Sequence, residues 1–355
     1  MSYQVTIEPL GTTIEVEDGQ TMLDAALRAG IYLPHACCHG LCGTCKVQVV
    51  DGEFEHGAAS PFALMDVERE EGRCLACCAT PTSDVVIEAD IDEDPDARHL
   101  PLADYEGRVA ELVDLTPTIK GVHIDVGGDG LDFQAGQYVN VHLPGFEHPR
   151  AFSLSNEPRS KNRLELNVRH VPNGKGTTFI HKELKVGDAV KVSGPLGRFF
   201  VRKSDTQPVI FMAGGSGLSS PRSMILDMLD HDGDARKMTL VYGARNRAEL
   251  YYHDLFVDLA AKHPNFRYVP ALNEPTPACE WSGFKGFVHD AAADAFGNDF
   301  RGHKAYLCGP PVMIEACIRA LMKGRLFERD IYTEKFVTAG DGAQALARSP
   351  LFKNI

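Results

Sequence analysis

The stretch HACCHGLCGTCKV, residues 35–47, places four cysteines within nine positions, at Cys37, Cys38, Cys42 and Cys45. The N-terminus, MSYQVTIEPL, lacks the basic and apolar segments of a secretory signal, so we expect a cytoplasmic protein. Thiols in the cytoplasm stay reduced, and clustered thiols there are more often metal ligands or catalytic groups than disulfide partners. The stretch therefore predicts a metal site in this part of the chain.

The spacing of Cys37, Cys42 and Cys45, with four and then two residues between them, resembles that of plant-type ferredoxins, which hold a [2Fe–2S] cluster. Such a loop must aim thiolates inward and backbone N–H groups at the sulfides, and Gly40 and Gly43 permit the tight turns that this requires. A structural zinc is the alternative, but zinc sites usually carry paired Cys-x2-Cys elements. We therefore predict one [2Fe–2S] cluster.

A fourth ligand must come from elsewhere, and the segment GRCLACCATPTSDVVIEAD offers Cys74, Cys77 and Cys78. This segment resembles the closing strand of plant-type ferredoxins, in which a ligand cysteine lies four residues before a Pro-Thr-Ser-Asp turn. Because the proline here is Pro81, the resemblance implies that Cys77 is the fourth ligand. Cys38, Cys74 and Cys78 would then be small buried hydrophobic residues.

The residues around the cysteines predict a small sheet with one helix. YQVTIEP and TTIEVEDG alternate apolar and polar residues on either side of Gly11, which indicates a hairpin. TMLDAALRAG has the pattern of an amphipathic helix that ends at Gly30, and CKVQVVDGEFE indicates another strand. This order resembles the β-grasp fold of plant-type ferredoxins, which we assign to a domain over residues 1–97.

Acidic residues are concentrated in the N-terminal part. Residues 1–99 contain 19 Asp and Glu against 5 Lys and Arg, a net charge of −14, whereas the remainder has a net charge of +1. The acidic balance excludes a nucleic-acid binder, and no apolar run approaches the roughly 20 residues that span a bilayer. The asymmetry favours electrostatic steering toward a partner, with a merely solvated surface as the alternative. The acidic stretch 88–107, which contains prolines and no periodicity, predicts a linker.

Residues 103–203 contain many short alternating runs with turn signals, which predict an antiparallel β-barrel. Within them, Arg150-Ala151-Phe152-Ser153 resembles the R-x-[Y/F]-S flavin motif of the ferredoxin–NADP reductase superfamily. The resemblance implies that Arg150 neutralises the FAD pyrophosphate, that Phe152 stacks on the isoalloxazine, and that Ser153 lies near the flavin N5 atom. A strand edge with a solvated arginine is the alternative.

The segment GKGTTFIHKELKVGD places glycines and threonines at the start of an apparent helix, where free N–H groups and hydroxyls suit a pyrophosphate. In the superfamily a second FAD loop follows the first motif at about this separation, and the strand between them lies along the ribityl and adenosine part. The resemblance therefore implies a further set of FAD contacts: Asn167, Val168, Arg169, Gly174, Lys175, Gly176, Thr177 and Thr178.

Residues 207–340 alternate strands with helices, which predicts a parallel sheet with its ligand at the carboxyl ends of the strands. The turn Gly214–Gly217 resembles the G-G-[ST]-G-[IL] loop of the superfamily and lets the backbone approach a pyrophosphate. The resemblance also implies that Cys308 lies over the nicotinamide and that Glu334 and Phe336 form the tail close to the flavin. The implied nucleotide site comprises Gly214, Gly215, Ser216, Gly217, Arg245, Cys308, Gly309 and Pro310. The implied catalytic residues are Ser153, Cys308 and Glu334.

The order of the three predicted domains resembles, over essentially the whole chain, that of the reductase components of multicomponent bacterial oxygenases. Segments such as GAASPFALMDVERE and AGGSGLSSP resemble the phenol hydroxylase reductases most. The resemblance implies transfer of electrons from NADH, with NADPH tolerated, through FAD and the [2Fe–2S] cluster to a diiron hydroxylase component. Residues 341–355 are a C-terminal extension to which we assign no role.

The predicted route has a chemical reason. A nicotinamide gives up two electrons as hydride, whereas a metal centre takes electrons singly, and a flavin between the two can exchange both ways. Reductases of Rieske dioxygenases and of deoxysugar dehydrases share this domain order, so both are alternatives for the acceptor. A redox sensor without enzymatic activity would leave the motifs Arg150–Ser153 and Gly214–Gly217 unexplained.

Overall fold

The computed structural model describes residues 1–35, 38, 40–91, 94–231, 233–337, 349 and 351–352. The chain forms two compact units, which divide between Ala103 and Asp104. Cys37 of the predicted cluster site and nearly all of the predicted extension 341–355 lie outside the described residues. Among the described residues, no helix has both the length and the apolar character that crossing a bilayer requires.

The first unit is a mixed five-stranded sheet with a short two-stranded sheet beside it. Its elements are β1 (Ser2–Glu8), β2 (Thr12–Glu17), α1 (Met22–Arg28), β3 (Lys46–Asp51), β4 (Phe54–Glu55), α2 (Asp66–Glu70), β5 (Arg73–Leu75), β6 (Thr80–Pro81) and β7 (Val85–Glu88). The main sheet has the order β2-β1-β7-β3-β5, with β1 and β7 parallel and the other neighbours antiparallel. The inward residues of β1, Val5 and Ile7, share one core with Met22 and Leu23 of α1. This arrangement confirms the predicted β-grasp fold.

The end of the segment predicted as a linker packs against the first unit. Leu102 is buried, and its backbone N–H donates to the carbonyl oxygen of Leu27 at 2.9 Å. A Cβ on Gly30 would lie 3.8 Å from the carbonyl oxygen of His99, so the end of α1 is covered by this segment. The acidic composition predicts exposure, but a single buried leucine is enough to anchor the end of the stretch.

The second unit begins with an antiparallel barrel. Its elements are β8 (Ala103–Asp114), β9 (Ile119–Val126), β10 (Tyr138–His142), β11 (Arg150–Ser153), β12 (Arg163–Arg169), α3 (Lys175–Lys182) and β13 (Ala189–Leu196). The strand order is β11-β10-β13-β8-β9-β12. The two edge strands are joined just after β11, where Leu154 bridges to Leu166 of β12, and this bridge closes the sheet as predicted. The predicted flavin motif Arg150–Ser153 is β11 itself.

The remainder of the second unit is a parallel sheet with helices. Its elements are β14 (Val209–Gly214), α4 (Ser219–Leu226), β15 (Met238–Ala244), α5 (His253–Lys262), β16 (Phe266–Leu272), β17 (Phe284–Lys285), α6 (Val288–Ala295), β18 (Lys304–Gly309), α7 (Pro311–Lys323) and β19 (Ile331–Lys335). All neighbours in the order β17-β16-β15-β14-β18-β19 are parallel. The chain direction across the sheet reverses between β14 and β18, and such a switch point opens a crevice at the carboxyl ends of its strands.

Buried polar contacts join the barrel to the parallel sheet. Arg222 of α4 donates to the carbonyl oxygen of Ser155 at 2.6 Å and to Glu165 Oε2 of β12 at 2.9 Å. On the other side, the hydroxyls of Thr116 and Thr118 donate to Glu249 Oε2 at 3.0 and 2.6 Å. Because Glu165 and Glu249 are buried, losing these donors would leave unpaired charges in the interior. These contacts fix the position of β11 relative to the switch point.

Candidate functional site

The described cysteines of the predicted cluster site lie together in the first unit. The thiols of Cys45 and Cys77 are hydrogen-bonded to each other, and the backbone of Gly40 donates to Cys77. Cys42 is half-buried, and its thiol donates to Thr44 Oγ1 at 3.3 Å. Backbone N–H donors directed at sulfur are the environment that an iron–sulfur cluster uses. The loop thus presents Cys42 and Cys45, and the segment after β5 brings Cys77 to Cys45 with a backbone donor from Gly40.

The remaining cysteines of the unit differ in their surroundings. Cys74 of β5 is completely buried, and burial raises the pKa of its thiol to about 12. Cys78 lies next to the predicted ligand, with its sulfur 3.6 Å from that of Cys77. Gly40 has a φ of +72°, and a Cβ there would be 2.7 Å from the Cys78 sulfur, so this turn requires glycine.

The donors gathered at this site are cysteine thiols, which suit an iron–sulfur cluster. Among the described residues, no three His, Cys, Asp or Glu side chains converge so as to hold a single metal ion. A binuclear cluster distributes its four thiolates over two irons, so its ligands do not need to meet at one point. The soft thiolate donors and the surrounding N–H groups match that chemistry.

The two predicted halves of the FAD pyrophosphate site meet in the barrel. Arg150 leaves β11 and passes over the start of α3, where a Cβ on Gly176 would lie 3.0 Å from Arg150 Nε. The guanidinium Nη1 donates to the carbonyl oxygens of His148 and Pro149 at 2.8 and 3.0 Å. A planar cation thus lies beside a helix start, and this is a suitable cradle for a pyrophosphate.

The start of α3 offers backbone rather than hydroxyl donors. Its N-cap is Gly174, so no N-cap side chain accepts hydrogen bonds from the first N–H groups. These N–H groups have no partners within the helix. The Thr177 hydroxyl accepts the N–H of Val171 at 3.1 Å, and the Thr178 hydroxyl lies 3.3 Å from His170 Nε2. Both threonines, predicted as pyrophosphate contacts, thus stabilise the loop itself. Lys175 is exposed at the first position of the helix.

Two residues of β12 have side chains that suit a bound nucleotide. The Asn167 amide nitrogen donates to Ser155 Oγ at 2.7 Å, but its buried Oδ1 has no partner among the described residues. A buried carbonyl without a donor is costly, and a ligand N–H or O–H would satisfy it. Arg169 is exposed, and its Nη1 lies 3.7 Å from where a Cβ of Gly215 would be. Arg169 therefore reaches the glycine turn of the parallel sheet, whereas the neighbouring Val168 is buried.

The glycine turn after β14 packs directly against the end of β18. A Cβ on Gly217 would be 2.3 Å from the carbonyl oxygen of Cys308, so no larger residue fits there. Gly309 has a φ of +147°, and the next residue, Pro310, is the N-cap of α7. The turn and the end of β18 thus lie side by side at the switch point, which is where a dinucleotide is expected.

One carboxylate connects the predicted flavin motif with the predicted nicotinamide site. Glu334 Oε2 of β19 accepts hydrogen bonds from Ser153 of β11 at 3.1 Å, from Ser220 of α4 at 2.7 Å and from the Cys308 thiol at 3.4 Å. All three predicted catalytic residues therefore meet at this oxygen. Ser220 is a fourth member that sequence reasoning missed, because no local motif marks a serine that contacts a residue 114 positions away.

The environment of Glu334 acts on its ionisation in two directions. Burial raises the pKa of the Glu334 carboxyl above its ordinary value, while the hydrogen bonds from Ser220, Cys308 and Ser153 oppose that rise. Burial, together with the adjacent Glu334 carboxylate, raises the pKa of the Cys308 thiol well above its ordinary value, so Cys308 stays protonated and donates. Phe336 follows on the same tail, and its N–H donates to the Gly309 carbonyl oxygen at 2.9 Å.

The predicted coenzyme residue Arg245 lies away from this cluster. Its side chain is about half exposed and is 3.4 Å from Glu249 Oε1. Glu249 is itself held by Thr116 and Thr118 of the barrel, so its carboxylate is used in the structure and is not open to a ribose.

Comparison with known proteins agrees with this geometry. Residues 5–82 match the family described as a 2Fe-2S iron-sulfur cluster binding domain, residues 115–201 an oxidoreductase FAD-binding domain, and residues 211–319 an oxidoreductase NAD-binding domain. These three matches confirm the predicted cofactors, a [2Fe–2S] cluster, FAD and a nicotinamide nucleotide.

Relatives of the same length are similar over the whole chain. The reductase component DmpP of phenol 2-monooxygenase from Pseudomonas sp. strain CF600 is 63% identical over 355 residues, which is 100% of both chains. A phenol hydroxylase protein of Acinetobacter pittii strain PHEA-2 is 59% identical over the same full coverage. Among solved structures, the Amycolatopsis reductase GcoB superposes with a TM-score of 0.84 at 36% identity, covering 94% of this chain and 98% of that one.

The first prediction concerns the fourth cluster ligand. We expect Cys77→Ala to lose the visible absorbance of the cluster and to reduce bound iron from about two atoms per chain toward zero, since a thiolate ligand is removed. The matched controls Cys78→Ala and Cys74→Ala should keep both. Iron analysis with absorbance spectroscopy measures the outcome, and loss of iron in Cys78→Ala with retention in Cys77→Ala would reverse the assignment.

The second prediction concerns Ser220. Replacing it by alanine removes a donor to ionised Glu334, which favours the protonated form, so the pKa of the carboxyl should rise further above its ordinary value. Stopped-flow reduction of bound FAD by NADH, followed against pH, should therefore show a midpoint shifted upward. Ser220→Thr should restore it, and Ser223→Ala should leave it unmoved, because Ser223 donates to the Asn156 carbonyl instead at 2.6 Å. An unchanged midpoint in Ser220→Ala would contradict the role given to this contact.

Proposed function

The chain belongs to the family of phenol hydroxylase reductase components, and on that premise we propose that it supplies electrons from NADH to the diiron oxygenase component of such a system. The chain is an iron–sulfur flavoprotein oxidoreductase that depends on a nicotinamide nucleotide. The observation that carries the proposal is the convergence of Ser153, Cys308 and Glu334 on one hydrogen-bonded cluster. It brings Ser153, at the end of β11, and Cys308, at the carboxyl end of β18, to the same carboxylate.

The chemistry comes from the bound groups, because FAD takes both electrons of a hydride and passes them on singly, while a [2Fe–2S] cluster carries one electron at a time. The protein binds these groups, orients them and shields them from solvent. Arg150 and the start of α3 neutralise and hold a pyrophosphate, and the turn Gly214–Gly217 lets a second pyrophosphate approach the backbone.

At the proposed site of hydride transfer, the side chains of this chain position a proton and determine the shape of the site. The Ser153 hydroxyl donates its hydrogen to Glu334 Oε2 at 3.1 Å, so the lone pairs of its oxygen can accept a hydrogen bond from a proton donor at this site. The neutral Cys308 thiol, 3.4 Å from Glu334 Oε2, would present an uncharged group to the nicotinamide. Phe336 is half-buried and packs against the core that contains Cys308.

For the cluster we propose the ligands Cys37, Cys42, Cys45 and Cys77. The sequence spacing of the first three and the hydrogen bond between the Cys45 and Cys77 thiols support this set. For the domains we propose ferredoxin over 1–97, FAD over 103–203 and nucleotide over 207–340. A cytoplasmic location follows from the need for NADH and for reduced thiols.

We propose NADH as the preferred coenzyme, with NADPH tolerated. A 2′-phosphate requires convergent cations beyond the second parallel strand. The candidates there, Arg245 and Arg247, lie near the carboxylates of Glu249 and Asp254, at 3.4 and 3.9 Å. Each positive charge is therefore partly offset, which favours an unphosphorylated ribose.

Phenol hydroxylase is the favoured acceptor system because of the full-length identities of 63% and 59% to its reductase proteins. Rieske dioxygenases and deoxysugar dehydrases are the alternatives that the domain order allows. Turnover of phenol by a purified phenol hydroxylase oxygenase component, supplied with this reductase and NADH, tests the proposal. Failure there, with turnover of a dioxygenase, would transfer the function to that class.

The third prediction separates the two units. A fragment that starts at Asp104 should fold, bind FAD and pass electrons from NADH through FAD to ferricyanide at close to the full rate, because its core is complete. The same fragment should lose most of its cytochrome c reduction, since single electrons leave through the cluster of the first unit. Steady-state assays on the fragment and the full chain measure both activities.

A fragment that starts at Leu102 is the matched comparison, since it exposes a leucine that is buried in the full chain. It should differ from the Asp104 fragment only in solubility. Undiminished cytochrome c reduction by either fragment would contradict the proposed electron route.

The fourth prediction concerns charge. Because residues 1–99 have a net charge of −14, association with the oxygenase component should weaken as salt shortens the Debye length from about 10 Å at 0.1 M to about 3 Å at 1 M. Coupled turnover should therefore fall steeply with salt, while NADH–ferricyanide activity changes little. Equal salt dependence of the two activities would show that the acidic surface is only solvated.

A further inference from the structure

Exposed apolar side chains gather where the first unit carries its cysteine loop. Eleven large apolar side chains among the described residues are exposed, and four of them belong to this loop or to the segment 58–67 beside it. They are Leu41, Phe62, Met65 and Val67, which we call the apolar patch. Phe62 is 97% exposed, the most of any phenylalanine described. A fully exposed aromatic ring next to a redox site suggests a surface that is covered during function.

The patch is held close to the cysteine loop by the backbone. The N–H of Ser60 donates to the carbonyl oxygen of Gly40 at 3.0 Å. A Cβ on Gly43 would lie 3.1 Å from the carbonyl oxygen of Ala63. Phe62 lies between these two contacts, and its own N–H donates to Ser60 Oγ at 3.3 Å. The ring is therefore presented from an ordered segment directly beside the loop that carries Cys42 and Cys45.

The side chain of Arg69 holds the segment 58–67 in place. Its guanidinium Nη2 donates to the carbonyl oxygen of Ala59 at 2.8 Å, and its Nε donates to that of Leu64 at 3.3 Å. An ordered segment loses little conformational entropy when a partner covers it, which favours binding.

Acidic residues surround the patch, but not all of them are available. Asp66, Glu70 and Glu71 are exposed on and just after α2. Glu68 is different, because its carboxylate binds Lys46 Nζ at 2.6 Å and accepts the N–H of Met65 at 2.9 Å. Glu68 therefore stabilises the start of α2. The rim that faces solvent consists of the other three acids, of which Glu71 also lies 3.9 Å from Arg73 Nε.

We propose that the apolar patch is the centre of the surface on which the oxygenase component docks, and that the partner presents an apolar hollow ringed by basic side chains. This inference rests on the proposed function and specifies its partner contact. Interfaces commonly place an aromatic anchor at the centre and polar residues at the rim. Docking here brings the partner against the loop through which single electrons leave.

Charge decides between this occupant and others. A second copy of the chain would bring two acidic rims together, and like charges at an interface disfavour it. An anionic membrane would be repelled for the same reason. A basic-rimmed protein surface satisfies both the acids and the apolar centre.

The two parts of the surface act on different steps of binding. The acidic rim attracts the partner at long range, so its effect is on association and is screened by salt. The apolar patch acts only after contact, so its effect is on dissociation and persists in salt. This difference allows each part to be tested separately.

The experiment measures binding of the full-length, cofactor-loaded protein to the purified oxygenase component by calorimetry, at low and at high salt. Phe62→Ala should raise the dissociation constant about tenfold or more at both salt concentrations. Phe62→Leu should recover part of the loss because it keeps an apolar side chain. The combined variant Asp66→Asn, Glu70→Gln and Glu71→Gln should weaken binding mainly at low salt.

The control Phe287→Ala removes a ring that is 58% exposed in the second unit and should bind as the wild type does. The iron content, the cofactor absorbance and the ferricyanide reduction of Phe62→Ala should equal those of the wild type, which shows that its cofactors are intact. Unchanged binding in Phe62→Ala, while the wild type binds and supports turnover, would overturn the docking surface alone. A wild type that reduces cytochrome c but neither binds nor supports any phenol hydroxylase oxygenase would overturn the proposed function and the docking surface with it.

Discussion

The arrangement of the second unit depends on one oxygen atom, Glu334 Oε2. It accepts hydrogen bonds from Ser153 on the barrel, Ser220 at the start of α4 and Cys308 at the end of β18. These donors come from three elements, so this carboxylate helps to hold the barrel edge at the switch point of the parallel sheet. The contacts of Arg222 with Ser155 and with the buried Glu165 join the barrel to α4 as well.

The need to change from paired to single electrons explains the division of the chain into units. Hydride transfer requires two rings held in fixed contact, which suits a boundary fastened by buried polar bonds. Single-electron delivery requires an exposed edge that a partner can reach, which suits a separate acidic unit with Phe62 on its surface. Hydride transfer therefore lies within the second unit, and single-electron delivery lies on the surface of the first unit.

Local patterns predicted the cysteine loop, β11 and the turn Gly214–Gly217, because each of these motifs is contiguous and its spacing has a direct chemical reason. They did not predict the role of Ser220, whose partner lies 114 residues away, although Ser220 closely follows the turn Gly214–Gly217. They also gave no indication that Thr116 and Thr118 of the barrel donate to Glu249. Contacts between distant elements arise from packing, and one sequence does not contain that information in local form.

The order of electron transfer is the central claim, and anaerobic stopped-flow mixing of the full-length protein with NADH tests it most directly. The account predicts that the flavin absorbance falls first and that the cluster absorbance and its paramagnetic signal change only afterwards. It also predicts that the cluster stays oxidised in a flavin-free preparation. Reduction of the cluster by NADH without flavin, or before the flavin has reacted, would contradict the account.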